Sequence, residues 1–396
     1  MIQREKIVYI NNDPMNGIQY NWKKIFKEYN KLGCPEEVYN PTTVPITECK
    51  WFVEFATRST GKTTNWLLLG LVMHEMYGTQ IQYVRQRASM IAKKDTEQLF
   101  SVILQYGYIE KITGGRFNNV YYFGHKWRYI KTDENGNIID KEEMPFMVCL
   151  DIDDDEMYKS TYNAPLGDLI IVDEFVSSRY APNEFVHLCS LIKTIGRDRL
   201  SFVIIMLANV TDLYSEYFSE LCIQDIVSGM HEGEHVQTIT EMGTHIYIEW
   251  IGIKNKERRS LFNSMFFGFK NPRLVAITGE GGSWAIDNYP HIERDKDRVP
   301  CIKNRFIIYK GYLVHLEICR SDTLGLHVVA HKATKTRDGD IIYTLDAIQD
   351  RQHRYKFGFT KTDVLLFALY RRNKWYYSNN EVGNVVNSYV KMAGQM

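Results

Sequence analysis

The chain has 396 residues, a length that predicts about two or three compact units. Lys plus Arg number 48 and Asp plus Glu number 48, so the formal net charge is zero, which excludes a protein that coats nucleic acid through bulk positive charge. The composition is 44% hydrophobic and 13% aromatic, far from that of a disordered chain. No run approaches the roughly 18 apolar residues of a membrane span, and Met1-Ile2-Gln3-Arg4-Glu5-Lys6 has no apolar signal core, so export is not expected. Seven cysteines (Cys34, Cys49, Cys149, Cys189, Cys222, Cys301, Cys319) are dispersed without a C-x-x-C pair. That pattern fits a reduced compartment better than a disulfide or zinc scaffold.

In chain order, residues 1–50 are irregular, with a helix-like stretch at Trp22–Tyr29 and a turn at Tyr39-Asn40-Pro41. Trp51–Ala56 then reads as a buried strand and Thr63–Tyr77 as an apolar helix. Gln80–Gln86 is a second strand and Ser89–Tyr106 a second helix. Residues 119–131 and 146–152 are extended around Asp133-Glu134-Asn135-Gly136-Asn137, and Asn-Gly between extended runs predicts a hairpin. Leu169–Val172 and Phe202–Leu207 are short apolar strands with a helix between them. Strands alternating with helices predict a parallel α/β sheet. We therefore expect a first domain over 1–210, a connecting or lid subdomain over 211–299, and a small C-terminal α/β domain over 300–396. In the last, Arg305–Tyr309, Tyr312–Cys319, Leu326–His331 and Ile341–Leu345 are extended, followed by helices near Lys361–Arg372 and Asn379–Met392. Charge is uneven: residues 132–156 hold ten acids against one lysine, and residues 301–396 hold fifteen Lys and Arg against eight Asp and Glu.

The strongest chemical signal is Ala56-Thr57-Arg58-Ser59-Thr60-Gly61-Lys62-Thr63. It matches the phosphate-binding loop G-x-x-x-x-G-K-[ST], with Ala56 in place of the first glycine, and it follows a strand and opens a helix as that motif requires. Backbone amides from Ala56 to Thr64 converge on phosphate oxygens in such a loop. Lys62 reaches the β- and γ-phosphates of ATP, and the Thr63 hydroxyl holds Mg²⁺. Asp168–Phe175 places four apolar residues before Asp173-Glu174, a Walker B strand in which Asp173 positions Mg²⁺ and Glu174 acts as general base on water. Arg197, in Thr194–Arg199, is either an arginine finger directed at a neighbouring subunit or an ordinary charged helix end. Asn209 ends its strand beside the loop, as a sensor of the γ-phosphate or as a turn cap. His231-Glu232-Gly233-Glu234-His235 matches the zinc-protease pattern H-E-x-x-H, but Gly233 interrupts any helix there and a surface loop is expected. Lys126, Arg128 and Lys131 interleave with aromatics on a predicted strand, either as DNA contacts or as a charge-protected edge. Arg85, Arg87, Lys93 and Lys94 form a second basic group with the same two readings.

Taken together, these residues resemble the DNA-packaging ATPases, or DNA encapsidation proteins, of small podophages with protein-primed genomes, which are terminase-like. The likeness runs through Tyr39-Asn40-Pro41, Arg58 in the loop, Tyr83-Val84-Arg85, Val172–Phe175, Pro182-Asn183-Glu184, Arg197-Asp198-Arg199, Leu207-Ala208-Asn209, Tyr309-Lys310-Gly311 and Tyr343-Thr344-Leu345. It implies ATP hydrolysis at the subunit interfaces of a homomeric ring, a pentamer, docked on the procapsid portal in the host cytoplasm and driving double-stranded DNA inward. Some relatives also require a packaging RNA. By position, Arg58, Lys62, Thr63, Asp173 and Glu174 act in cis on a nucleotide bound at residues 56–64 beside Tyr39 and Asn40. Arg197 acts in trans, with Arg199 as the fallback, and Asn209 couples nucleotide state to movement. The C-terminal domain is expected to be ribonuclease H-like without nuclease activity. Three other readings stay open: a terminase with an active nuclease, another ring-shaped DNA translocase or helicase, and a nucleotide-binding structural protein without turnover.

Overall fold

The apolar runs of the sequence become the strands of two separate sheets in a computed structural model of the chain. The described residues are 2–56, 60–176, 183–209, 215–252, 254, 257, 260–261, 264–265, 289–291, 298–309, 311–346, 348, 350–358 and 360–393. They divide into two units, the first comprising 1–176, 183–210 and 229–259, and the second 177–182, 211–228 and 260–396.

The first unit holds a sheet of ten described strands: β1 (Trp51–Ala56), β2 (Ile81–Arg85), β3 (Asn119–Phe123), β4 (Lys126–Thr132), β5 (Ile138–Lys141), β6 (Met147–Asp151), β7 (Leu169–Asp173), β8 (Val203–Asn209), β9 (His235–Ile239) and β10 (His245–Trp250). The spatial order is β3-β4-β6-β2-β7-β8-β1-β10-β9, with β5 paired to β4. The six strands from β6 to β10 in that order are mutually parallel. Buried on both faces, β6, β7 and β8 read as near-continuous apolar runs rather than alternating ones. Helix α1 (Trp22–Asn30), capped by the Asn21 side chain, packs on α2 (Lys62–Tyr77). Fourteen of the 16 residues of α2 are buried. A helix apolar on every side belongs inside a core, which explains why no amphipathic stripe marks it.

Two expectations change here. The residues taken as a connecting subdomain from 211 include β9 and β10, which belong to the first sheet. Ile248 pairs with Val53 and Trp250 with Phe55, so β10 covers what would otherwise be an open edge on β1. The single helix expected over Ser89–Tyr106 is instead a series of short turns: Ala88–Met90, Lys93–Thr96, Glu97–Phe100 and Ser101–Gln105. The Thr96 and Ser101 hydroxyls donate to the carbonyls of Ala92 and Gln98, local bonds that compete with a regular helix.

The second unit contains β11 (Val299–Tyr309), β12 (Tyr312–Ser321), β13 (Gly325–Lys332), β14 (Ile341–Thr344), β15 (His353–Tyr355) and β16 (Trp375–Tyr377), in the order β15-β14-β11-β12-β13-β16. β11, β12 and β13 form an antiparallel meander, while β14 lies parallel to β11 and β15 parallel to β14. β16 lies parallel to β13 at the far edge. Helices α3 (Lys361–Arg371) and α4 (Asn380–Met392) cover one face; Leu366, Val386 and Tyr389 pack on Ile307, Leu316 and Val328. Two acids of this unit have structural partners. Glu317 accepts from Arg298 at 3.3 Å. Asp363 completes the capping box of α3 with Thr360 and accepts from the Tyr343 hydroxyl.

Glu54 lies wholly buried on β1, accepting from the Tyr39 hydroxyl at 2.6 Å and from Trp66 Nε1 at 2.7 Å. Burial, reinforced by neighbouring Glu249, pushes its carboxyl from an ordinary 4.5 up to about 8. A carboxyl whose folded pKa lies above its unfolded one binds a proton more readily when folded. Its contribution to stability is therefore lost as pH rises from about 4.5 through about 8. Glu54→Gln, which mimics the protonated form, should flatten the stability profile between pH 5 and 8 relative to the parent by a few kcal/mol; urea unfolding at several pH values measures it.

Candidate active site

The parallel order decides what meets at the carboxyl ends of the strands. β8 lies between β1 and β7, pairing Ala56 with Asn209 on one side and Asp173 with Leu207 on the other. The phosphate loop, Asn209 and the Walker B acids therefore open on the same rim, where parallel α/β sheets bind ligands. Gly61 takes φ +78° immediately before α2, and a Cβ there would sit 3.1 Å from both Asn65 Nδ2 and Val38 Cβ. Glycine is required at that position by conformation and by space. The Asn65 side chain donates to Gly61 O at 2.8 Å and accepts from the Tyr29 hydroxyl at 2.6 Å, which holds the loop's return into the helix.

Lys62, buried, donates from Nζ to Asn209 Oδ1 at 3.1 Å. Burial lowers its pKa from the ordinary value, opposed chiefly by Asp173. The Thr63 hydroxyl donates to Asp173 Oδ1 at 3.3 Å. A hydroxyl and a carboxylate side by side at the mouth of the loop are the hard oxygen donors that Mg²⁺ prefers while keeping most of its waters, so the donor set fits that ion. Asp173, buried, also accepts from the Tyr83 hydroxyl at 2.8 Å. Burial raises its pKa and Arg85 opposes the rise. Glu174 adopts φ +55°, a left-handed conformation costly for a residue with a side chain and concentrated at working sites. Its amide donates to Asp173 Oδ1 at 3.1 Å and its carboxylate accepts from Arg85 at 2.5 Å.

Lys62, Thr63, Thr64, Asp173, Glu174 and Asn209 line one cavity of about 780 Å³ together with Thr60 and Gly61. Ala56 ends β1 fully buried. Thr57, Arg58 and Ser59 lie outside the described residues. Tyr39 and Asn40, expected at the nucleotide, are not among the cavity's lining residues. The Tyr39 hydroxyl is spent on Glu54 while its amide donates to Thr60 O at 2.9 Å, so it supports the loop from behind. The Asn40 side chain instead accepts from the Thr42 amide at 3.0 Å, capping the turn that follows.

Arg197 lies at the opposite end of the sheet, before β8 begins. The seven residues of β8 separate it from Asn209 by roughly 20 Å, so it does not meet its own chain's loop. It is exposed, in a left-handed turn at φ +43°, and donates to Tyr162 O at 2.6 Å. Arg199, the fallback, is buried: Nε donates to Asp168 Oδ1 at 2.9 Å, and the Tyr20 and Ser201 hydroxyls donate to the other carboxylate oxygen. Its guanidinium is committed inside the fold and does not serve as a finger.

The basic strand also resolves differently. Trp127 and Tyr129 of β4 are buried against Phe100, Phe117 and Phe146, so the aromatic half of the pattern is core. Lys126 is exposed, Arg128 donates to Glu143 O and Lys131 donates to Gly115 O. Arg85, read as part of a basic nucleic-acid group, instead joins Tyr83, Asp173 and Glu174. The signal for this was its spacing: Tyr83 and Arg85 share one face of β2 by the two-residue strand period. His231–Glu234 forms a surface turn whose Gly233 amide donates to Trp250 O, and His235 opens β9, as expected of a loop rather than a zinc helix.

No family model matches the sequence, and no curated protein matches it either. Solved structures do. The DNA packaging motor of phage phi28 matches with a TM-score of 0.51 at 18% identity, over 91% of this chain and 98% of that one. The viral genome packaging motor assembly of bacteriophage phi29 matches with a TM-score of 0.53 at 18% identity, over 90% of this chain and 100% of that one. This chain has their fold, a P-loop α/β unit followed by a second, smaller sheet.

The two arginines should separate in thermal unfolding. Arg199→Ala leaves Asp168 buried without its cation and should cost about 3–5 kcal/mol. Arg197→Ala, at an exposed site, should stay within about 0.5 kcal/mol of the parent.

Proposed function

We propose that this chain is the ATPase subunit of a phage genome-packaging motor, hydrolysing ATP with Mg²⁺ to drive double-stranded DNA into a procapsid. The observation that carries this reading is the convergence of Lys62, Thr63, Asp173, Glu174 and Asn209 on one cavity, in a fold shared over nine-tenths of the chain with packaging motors.

In this reading the amides at the start of α2 hold the triphosphate oxygens. Lys62 neutralises charge on the β- and γ-phosphates, and Asn209 fixes the ammonium in place. Thr63 and Asp173 would hold Mg²⁺, which would supply positive charge against the phosphate oxygens. Glu174 takes a proton from the attacking water. Its carboxylate is tied to Arg85, so water activation requires that this bond be exchanged first. Asn209 touches Lys62 at one end of β8 and belongs to a strand that starts near Arg197, which gives nucleotide state a rigid element to act through. Arg197, exposed and remote from its own loop, supplies charge to the γ-phosphate of a neighbour, which makes the working form a homomeric ring, a pentamer on the portal in the host cytoplasm. A packaging RNA belongs to the same set of partners in some relatives. DNA meets local basic surfaces rather than a uniformly positive molecule.

Steady-state ATP hydrolysis by the assembled protein tests this. Lys62→Ala should lose at least roughly a hundredfold in rate. Glu174→Gln and Arg197→Ala should each be inactive alone, and mixing the two should restore part of the activity, since each subunit then supplies the group its neighbour lacks. Hydrolysis unaffected by Lys62→Ala overturns the proposal, and mixtures that stay inactive overturn the trans role of Arg197.

A further inference from the structure

The cavity at the phosphate loop is larger than a triphosphate needs, and its second half is of different chemistry. Beyond Thr64 it runs along α2 to Leu68, on the same helix face by the four-residue spacing. From Lys62 to Leu68 the helix advances about 9 Å, room for a sugar and a ring. The same cavity is lined by Cys34, Val102, Gln105, Tyr106 and Tyr108, while Val38 lies against Gly61 at the phosphate end. Val102 and Tyr106 are 41% and 52% exposed. Exposed apolar side chains are common on surfaces, but these two line the same cavity as the phosphate loop. The Tyr106 ring also sits 5.9 Å from the Tyr108 ring, and Tyr108, only 3% exposed, lines the same cavity.

We infer that Tyr106, with Val102, forms a platform on which the nucleobase stacks, making this a nucleoside triphosphate site rather than a polyphosphate site. The inference rests on the nucleotide-binding reading above and adds the residues that read the other end of the ligand. Tyr suits the role because it offers a wide flat face at little conformational cost and keeps its hydroxyl wet. Gln105, exposed next to it, can present both a donor and an acceptor to a base edge. The turn at Gly107 (φ +62°) separates the helix ending at Gln105 from the one beginning at Tyr108 and sets the angle at which Tyr106 leaves the backbone.

Equilibrium binding of ADP and of inorganic tripolyphosphate to the full chain tests it, because only ADP carries a base. Tyr106→Ala should weaken ADP roughly tenfold and leave tripolyphosphate unchanged, while Tyr106→Phe should bind ADP like the parent. In the parent, alkylation of the Cys34 thiol, followed peptide by peptide, should be slowed by ADP and not by tripolyphosphate. ADP binding indifferent to Tyr106→Ala, or equal loss of both ligands, overturns the base platform while leaving the phosphate site standing. A parent that binds neither ligand overturns the nucleotide reading and this inference with it.

Discussion

The site depends on β8 being inserted between the strand that carries the phosphate loop and the strand that carries the acids. Were β1 and β7 neighbours, Lys62 and Asp173 would meet with nothing between them. With β8 in place, Asn209 stands at the gap and takes the Lys62 ammonium at 3.1 Å, while Asp173 remains for the Thr63 hydroxyl. The parallel register enforces this, since Ala56 lies beside Asn209 and Leu207 beside Asp173. Each of these strands is buried on both faces, so a slip would break the apolar pairing along its length. The stiffness of the sheet core is thus what holds the polar groups at its rim.

The rim carries more acid than a phosphate site would be expected to tolerate. Asp173 lies buried at its floor, Glu174 exposed at its edge, and Glu54 buried below the loop. Glu54 resolves part of the difficulty by its pKa of about 8, which leaves it mostly protonated near neutrality and removes a negative charge from beneath the phosphates. Arg85 resolves another part by facing both Walker B acids. The Thr63–Asp173 corner offers the oxygen donors that a divalent cation would take. Tyr39 links the two layers: its hydroxyl is on Glu54 and its backbone amide on the loop carbonyl of Thr60. The protonation of a buried acid and the shape of the phosphate loop are therefore mechanically connected.

The loop, the Walker B strand and the strands after residue 300 were legible because each is encoded within a short window. A strand–loop–helix motif and an alternating or apolar run need no knowledge of distant partners. Joining β10 to β1 required such knowledge, and nothing local in His245–Trp250 distinguishes an added strand of the first sheet from a strand of a separate subdomain. The role of Arg85 was hidden for a related reason. A basic residue at a strand end is ordinarily solvated, and only the neighbouring position of β7 turns it toward two acids. In β4 the alternation was read in the right places, but its aromatic half faces inward to Phe100 and Phe146. Base stacking and core packing draw on the same residues, and composition cannot separate them. The cavity wall at Tyr106 is hidden from periodicity because it ends a series of short helical segments over 88–105 that the apolar pattern reads as one helix.

The opposite charge poles of the sequence also look different in space. The acidic run from 132 to 156 does not form a single face. Asp133 is consumed in its own hairpin turn, accepting from the amides of Asn135 and Asn137. Glu142 pairs with buried His74, Asp151 accepts from Tyr158, and Asp155 holds His187 and Lys159. Lys131 on β4 lies directly across from Asp140 on β5, a cross-strand opposite-charge pair. A phosphate backbone approaching β4 would therefore meet mixed charge, which weakens the case for that strand as a DNA track. Much of the acidic charge in this stretch of the first unit is therefore taken up by local partners. The excess of fifteen basic residues over eight acids after residue 300 has fewer acids to pair with, and Glu317 and Asp363 among those acids already have partners. If DNA is held electrostatically, the charge to hold it resides in the second unit, while the first keeps its cations for the nucleotide.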